Sequence, residues 1–189
     1  MTSAQLRPAT AADLAEVAEV FLASRRDALP YLPALHTDDE TRRWMAGVVF
    51  AAGGMWVAVV DRRIVGFAAL NEGRDHLDHL YLLPGWYGRG IGSALLAKAK
   101  ELCVGRLRLF AFQRNLRARA FYEARGFAVV DFNEGGRNEE REPDVLYEWV
   151  RGSADAPDHP VRRSRRAVSP RKTPRSHPTG RSRPGVRHR

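Results

Sequence analysis

The stretch LYLLPGWYGRGIGSALL, residues 80–96, decides the fold. Its apolar run ends in Leu-Pro-Gly, three glycines follow at alternate positions (Gly88, Gly90 and Gly92), and the residues beyond them have the apolar spacing of a helix. Glycines between a strand and a helix indicate that another group approaches the backbone closely. The amides of residues 88–93, at the positive end of that helix, are therefore predicted to cradle an anion such as a pyrophosphate. A tight turn that only caps the helix is the alternative.

Two familiar nucleotide-binding loops do not fit this spacing. A dinucleotide loop requires Gly-x-Gly-x-x-Gly and an acidic residue about twenty positions later. Here Ser93 stands at the third glycine position, and the strand after Cys103 lacks the acidic residue. A nucleoside-triphosphate loop requires Gly-Lys-Ser/Thr, and no lysine follows these glycines. Both classes are excluded, while Arg89 adds positive charge to the predicted anion site.

The hydrophobic pattern of the whole chain predicts an α+β fold. It indicates a short strand, two helices, three strands, a helix, a strand, a helix and two closing strands. Thr10 with Asp13, and Thr37 with Glu40, have the spacing of capping boxes and predict where the first two helices begin. Gly126 predicts the end of the last helix. This order is typical of an α/β sandwich with a largely antiparallel central sheet and about four flanking helices.

The positive charge belongs to one end of the chain. Residues 152–189 hold 11 Lys+Arg and 2 Asp+Glu of the 31 and 22 in the whole sequence, which leaves 20 of each in residues 1–151. The basic segment is rich in Pro, Ser and Arg and almost lacks large apolar residues, so we predict a folded domain over 1–151 and a disordered tail over 152–189. Weak, sequence-tolerant polyanion binding and an extension without function are both open for that tail.

Composition also bounds the location and the metal chemistry. The single cysteine, Cys103, excludes a disulfide framework and a multi-thiolate metal site. No apolar run has the length of a membrane span, and the N-terminus lacks a leader pattern, so we expect a cytoplasmic protein without a membrane partner. His76 and His79 would splay to opposite faces of a strand, and we therefore expect no metal.

A second motif, FQRNLRARAFYEARGF at residues 112–127, follows the glycine loop at a distance of about twenty residues. Together the two motifs resemble the GNAT superfamily of acyl-CoA-dependent N-acetyltransferases, and the resemblance covers about residues 3–151. The family pattern Gln/Arg-x-x-Gly-x-Gly/Ala is matched at residues 87–92. The pattern Asn-x-x-Ala-x-x-Phe-Tyr-x-x-x-Gly-Phe is matched from Asn115 onward. Tyr87 departs from the family, which has Gln or Arg there.

The resemblance implies an enzyme that moves an acetyl group from acetyl-CoA to a primary amine, on a small molecule or a peptide α-amine, by direct attack on the thioester. It implies that β-strand backbone pairs with the pantetheine arm, that the loop amides take the pyrophosphate, and that Tyr122 is the general acid for the departing thiolate. The cofactor-binding residues so implied are Leu80, Tyr81, Leu82, Tyr87, Gly88, Arg89, Gly90, Ile91, Gly92, Ser93 and Asn115.

The general base is expected in the strand that precedes the glycine loop. In the family a carboxylate early in this strand often serves, and by spacing that place falls near His76. Asp78 shares the strand face of His76, whereas Asp75 and His79 point the other way unless a bulge intervenes. His76 and Asp78 are therefore the candidates, and partly exposed strand residues without a catalytic role are the alternative.

The acceptor pocket of the family is formed by the first two helices, their connection and the loop between the last strands. These are residues 24–44 and 133–144 here, with an acidic loop that suits a cationic amine; a solvated connection is the alternative. The aromatic, imidazole and acidic candidates are Tyr31, His36, Trp44, Glu139, Glu140 and Glu142.

Two further function classes stay open at this point. One is a non-catalytic acyl-CoA-binding sensor on the same fold, and the other is a polyanion-binding protein that acts through its basic tail. Members of the superfamily are often dimers, so a homodimer is compatible with the resemblance.

Overall fold

The computed structural model describes residues 4–152. The expectations of a disordered, polyanion-binding tail lie outside these residues, apart from Gly152. Seven strands and four α-helices follow the predicted order and confirm the α+β class. The strands are β1 Gln5–Pro8, β2 Gly54–Val60, β3 Arg63–Leu70, β4 Leu77–Leu82, β5 Arg106–Phe112, β6 Ala128–Asn133 and β7 Asp144–Val150. The helices are α1 Leu14–Ala28, α2 Asp38–Trp44, α3 Ile91–Leu102 and α4 Leu116–Glu123.

The predicted helix starts agree with the observed capping. Asp13 closes a capping box on Thr10, and a single 3₁₀ turn, Ala11–Asp13, leads into α1. Glu40 does the same for Thr37 at the start of α2. Beyond α2 the helical path continues as a wider π-type turn, Met45–Val49.

The central sheet is divided into two antiparallel sheets. The first has the strand order β1-β2-β3-β4, and the second has the order β5-β7-β6. A single parallel bridge between His76 and Arg108 joins them, with the Arg108 amide donating to the Asp75 carbonyl at 2.8 Å. Within the described chain β4 and β5 have no further pairing, so the edge of β4 that faces β5 is left without a strand partner.

Helices cover both faces of the first sheet. On one face α1 packs on β3 and β4 around Val17, Phe21, Met45 and Phe67, all buried. On the other face α3 packs on the same strands, and its buried residues share a core with the inner side of the second sheet. Leu95, Leu109 and Tyr147 are fully buried there. None of the helices among residues 4–152 combines the length and the hydrophobicity that a bilayer crossing requires.

Candidate active site

The glycine loop forms an open cradle of backbone amides at the start of α3. Gly88 and Gly90 have φ angles of 74° and 80°, a region that L side chains rarely adopt, and a Cβ at either position would meet no atom within 4 Å. The first helical hydrogen bond is donated by the Ala94 amide to the Gly90 carbonyl. Within residues 4–152, none of the amides of residues 87–93 has an acceptor. Free N–H groups at a helix N-terminus attract an anion.

Two arginines flank the cradle, each held on an aromatic ring. The guanidinium of Arg89 lies 4.7 Å from the centre of the Trp86 ring, and that of Arg117, on α4, lies 3.9 Å from the centre of the Tyr87 ring. Neither guanidinium forms an ion pair with a carboxylate of the described chain. Their charge therefore adds to the field of the amides.

The two sequence motifs meet in space. Arg125, after α4, donates two hydrogen bonds to the Ser93 hydroxyl in the first turn of α3, at 3.1 and 2.7 Å. A Cβ at Gly92 would lie in ordinary van der Waals contact with Leu82 and Phe121, at 3.4–3.5 Å, so α3, α4 and the end of β4 meet at this point. The cradle is thus fixed to α4 and to the end of β4 at the same point.

Asn115 holds α4 rather than standing free. Its side-chain oxygen accepts from the Ala118 amide at 3.1 Å, the hydrogen bond of a helix N-cap. The amide nitrogen of this side chain donates to no described residue. Any contact between Asn115 and a ligand would use this nitrogen or the backbone.

Tyr122 lies in the core at the inner side of α4. Its side chain is 8% exposed, and its ring contacts those of Phe121, Phe127 and Tyr147 at 5.2, 5.6 and 6.3 Å between centres. Burial raises the pKa of its hydroxyl well above the ordinary value. The phenol therefore keeps its proton through the neutral range, as a general acid must.

A β-bulge lies at Asp78. Leu77 pairs with Leu70 and His79 pairs with Ala69, so Asp78 is an extra residue in β4. The structure brings the two predicted base candidates together: Nδ1 of His76 lies 2.8 Å from Oδ1 of Asp78. Nε2 of His76 is buried and has no partner in the described chain.

The bulge also fixes the place of His79, which sequence reasoning set aside. Leu77 packs in the core beside α3, whereas His79 and Tyr81 lie on the α1 face. The His79 ring contacts Phe21 and Trp44 edge to face, with centres 5.9 and 5.3 Å apart. Burial lowers the pKa of His79 to about 4, so its imidazole is neutral.

A cleft of about 740 Å³ opens over Phe21 and Trp44, where the acceptor pocket is expected. It is bounded by α1, α2, their connection and the β6–β7 loop. Its apolar lining consists of Phe21, Leu22, Leu29, Pro30, Leu32, Pro33, Ala34, Leu35 and Trp44.

Each acidic candidate at this cleft already has a side-chain partner. Arg25 of α1 reaches Glu140 at 2.7 Å, and His36 Nε2 reaches Glu139 Oε2 at the same distance. Glu142 lies 3.7 Å from Arg114, whose guanidinium covers the Tyr31 ring. The loop is therefore tied to α1 and to the α1–α2 connection, and Arg25 is a residue that the sequence reasoning missed.

Comparison with known proteins assigns the chain to a family. A model of the acetyltransferase (GNAT) family matches residues 19–127. The chain belongs to this family. Among relatives of this GNAT chain, the peptidyl-lysine N-acetyltransferase YiaC of Escherichia coli K12 is 30% identical over 126 residues, which cover 67% of this chain and 84% of YiaC.

Other comparisons agree with the GNAT assignment. An uncharacterized N-acetyltransferase of Mycobacterium tuberculosis H37Rv is 43% identical over 76 residues, 36% of this chain and 49% of that protein, so the chain spans about half the length of this relative. The crystal structure of the PaiA N-acetyltransferase from Thermoplasma acidophilum, in complex with coenzyme A, matches with a TM-score of 0.62 at 20% identity, over 78% of this chain and 99% of that one. This last likeness concerns the fold.

Proposed function

We propose that this GNAT chain transfers an acetyl group from acetyl-CoA to a primary amine. The observation that carries the proposal is the continuity of two unpaired surfaces. Among residues 4–152 the edge of β4 that faces β5 has no strand partner beyond the His76–Arg108 bridge, and it leads directly into the free amides of residues 87–93. An extended arm that ends in an anionic group fits both surfaces, and the pantetheine and pyrophosphate of CoA have that form.

The residues of the chain fit acetyl-CoA in charge and in space. Open space at Gly88 and Gly90 admits a phosphate to the backbone, and the unpaired guanidinium groups of Arg89 and Arg117 add positive charge. Backbone groups of Leu80, Tyr81 and Leu82 would pair with the pantetheine arm. The binding set proposed for the cofactor remains the one predicted from the sequence: the backbone of 80–82, residues 87–93 and Asn115. Acetyl-CoA supplies the activated acetyl group when it is bound.

Tyr122 is proposed as the general acid that protonates the departing thiolate. Its raised pKa keeps the hydroxyl protonated through the neutral range, so that a proton is present for the thiolate. His76, with Asp78 at 2.8 Å, is proposed to accept the proton that the acceptor ammonium loses. The Asp78 carboxylate contacts Nδ1 and thereby orients the ring, which leaves Nε2 for the proton.

The acceptor is proposed to bind in the cleft over Phe21 and Trp44. The peptidyl-lysine acetyltransferase YiaC covers two thirds of this chain, and the apolar walls of the cleft fit the alkyl arm of a lysine side chain. Lysine side chains of peptides therefore join α-amines and small primary amines as candidate acceptors. Because Glu139 and Glu140 already contact His36 and Arg25, their carboxylates would attract a cationic amine less strongly than free carboxylates would.

The direct test is release of CoA thiol from acetyl-CoA by the full chain. The acceptors are a lysine peptide blocked at its N-terminus, a peptide with a free α-amine, a polyamine, an aminoglycoside and free amino acids. Calorimetric titration of CoA into the same protein measures donor binding without turnover. Turnover with one of these amines supports the proposal. Absence of CoA binding removes it, and CoA binding without turnover by any amine favours the sensor.

We also propose a single catalytic domain over residues 1–151, a cytoplasmic location and a possible homodimer. We place donor and acceptor sites within 1–151, because every residue named above lies there. A chain ending at Arg151 should keep both CoA binding and turnover, and should bind polynucleotide less at low salt than the full chain. The buried, unpaired Cys103 agrees with a reducing, cytoplasmic location. A homodimer would be tested by light scattering.

A further inference from the structure

His79 is a polar group without a polar partner beneath the acceptor cleft. Its Nδ1 is buried and unpaired, and Nε2 forms no hydrogen bond within residues 4–152 either. The ring lies among four aromatic side chains: Phe21, Trp44, Phe67 and Tyr81, with centres 5.3–6.4 Å away. Native proteins retain few buried polar atoms without partners, and each one asks for an explanation.

The β-bulge at Asp78 determines the strand face on which His79 lies. The extra residue at Asp78 shifts the alternation of β4, so that Leu77 faces α3 and His79 faces α1. An apolar residue at position 79 would fill this aromatic surrounding at no cost in hydrogen bonds. His79 is partly buried as a residue, and its buried, unpartnered Nδ1 is not explained by packing.

Two of the four rings separate His79 from the cleft. Phe21 and Trp44 line the cleft, and both contact the His79 ring. Trp44 is 39% exposed, ends α2 and forms no hydrogen bond through its indole nitrogen within the described chain. Only ring contacts with Phe21 and His79 hold the indole in the described chain.

We propose that His79 binds the acceptor amine, through a hydrogen bond from an amine N–H to an unpaired ring nitrogen. The inference rests on the proposed function and refines it: the acceptor carries its amine on a slender apolar arm that passes the Trp44 indole. A branched or charged arm would be excluded by the rings of Phe21 and Trp44.

His79 acts here as a binding residue and not as the base. Burial keeps the imidazole neutral, the Arg25 guanidinium on α1 and His76 oppose its protonation, and Asp78 alone favours it. From α2 the residue against the ring is Trp44, which carries no charge. A lone pair is thus available at every pH at which the enzyme works, while proton uptake stays with another group.

Three variants test the proposal in the full chain. His79→Phe keeps the aromatic packing and removes the acceptor atom, His79→Asn places an oxygen near the position of Nδ1, and His79→Gln places one near Nε2. The amine that the wild-type chain turns over fastest is titrated by calorimetry into each protein saturated with CoA, and its KM, kcat and pH profile are measured with acetyl-CoA.

We expect His79→Phe to weaken amine binding and to raise its KM by about tenfold or more. One of the two amide variants should restore most of the affinity, and the shape of the pH profile and the affinity for CoA should not change. Wild-type affinity in His79→Phe overturns the proposal. A loss that neither amide variant restores, or one that accompanies weaker CoA binding, overturns it as well. Absence of turnover in the wild-type chain refutes the proposed function instead.

Discussion

The guanidinium of Arg117 lies 3.9 Å from the centre of the Tyr87 ring, so the second motif supplies a cation at the loop position where the family has Gln or Arg. Tyr87 itself brings no charge, but its ring holds one that α4 provides. We propose that Arg117 compensates for the departure of Tyr87 from the family pattern.

Arg117→Ala is expected to weaken CoA binding about tenfold at low salt, because one unpaired charge beside the phosphates is lost. The difference should shrink as ionic strength rises. Calorimetric titration of CoA at two salt concentrations measures both effects. Arg63→Ala, which removes an equal charge at the exposed start of β3, serves as the control. Equal losses in the two variants would mean that Arg117 acts only through net charge.

Gly88→Ala should weaken CoA binding by at least tenfold. The residue has a φ of 74°, and its Cβ would enter the open side of the amide cradle. The strained backbone alone costs about 1 kcal/mol. Gly105→Ala is a matched control, because Gly105 has a φ of 84°, equally open surroundings and a position beyond the other end of α3. Both variants should lose similar stability in urea unfolding, and only Gly88→Ala should lose CoA affinity.

Tyr122→Phe should lower kcat by about 100-fold or more and leave the dissociation constant of CoA unchanged. The ring packing on Phe121 and Phe127 survives the substitution, so the melting temperature should change little. The raised pKa of Tyr122 means that the wild-type kcat should show no alkaline limb from this residue near its ordinary pKa. Full activity in the variant would remove Tyr122 from the acid role.

Much of the secondary structure could be predicted because its signals come from residues that are close together in the sequence. Capping boxes at Thr10 and Thr37 marked two helix starts, and Gly126, with a φ of 79°, marked the end of α4. Each signal depends on residues three or four positions apart, which is the range over which a helix end is decided. The glycine loop was recognisable for the same reason.

The candidate site is harder to predict from the sequence because two of its features, a β-bulge and a long-range ion pair, leave no signal in neighbouring residues. The segment DHLDH places polar residues on both strand faces, so an inserted residue at Asp78 leaves no mark in the alternation. The pair of Arg25 and Glu140 joins residues 115 positions apart. Charge alone predicted a β6–β7 loop that is free to bind an amine, and only the fold shows that Glu139, Glu140 and Glu142 already have partners.

Asp13→Asn should cost about 2 kcal/mol of unfolding free energy at pH 7. The buried carboxylate accepts from both Arg7 guanidinium nitrogens and from the amide and hydroxyl of Thr10, at 2.7–2.8 Å. The bond from Arg7 chiefly holds the pKa of Asp13 well below its usual value. This stabilisation is present above the unfolded pKa of about 3.9 and is lost as the pH falls below it, so the two proteins should converge in acid.

Urea unfolding at pH 7, 5 and 3 measures that convergence. Glu101→Gln is the control, because its partner Lys98 lies on the surface of α3 and Glu101 itself is 65% exposed. The exposed pair should contribute no more than about 0.5 kcal/mol at any of these pH values. A constant difference between wild type and Asp13→Asn across the range would contradict the assigned cause.

His79 should make the folded state sensitive to moderate acid. Its pKa is lowered to about 4 in the fold and is about 6.5 in the unfolded chain, so between these values the unfolded state binds the extra proton. Stability is complete above pH 6.5 and falls as the pH drops, by at most about 1.4 kcal/mol per unit. His79→Phe should lack this slope. Parallel pH curves for the two proteins would contradict the prediction.

His36 provides the comparison of opposite sign. Its hydrogen bond to Glu139 raises its pKa, so any stabilisation is present below pH 6.5 and is lost as the pH rises through the folded value. His36→Phe should therefore alter the curve, if at all, in the opposite direction from His79→Phe. If the two substitutions change the pH dependence of stability in the same direction, one of the two assigned pKa shifts has the wrong sign.

Within residues 4–152 a single bridge, between His76 and Arg108, pairs the two sheets, so the binding of CoA proposed above would also complete the sheet. A molecule laid along the open edge of β4 would act as the strand missing between the two sheets and share its hydrogen bonds with one of them. The folding equilibrium would then depend on the concentration of that molecule: about 2.7 kcal/mol of additional stability is gained at 100 times its dissociation constant. Backbone amides along the open edge of β4 should exchange their protons faster in the ligand-free protein than in the complex. The concentration of the proposed acetyl donor would then set the lifetime of the folded protein as well as its rate of turnover.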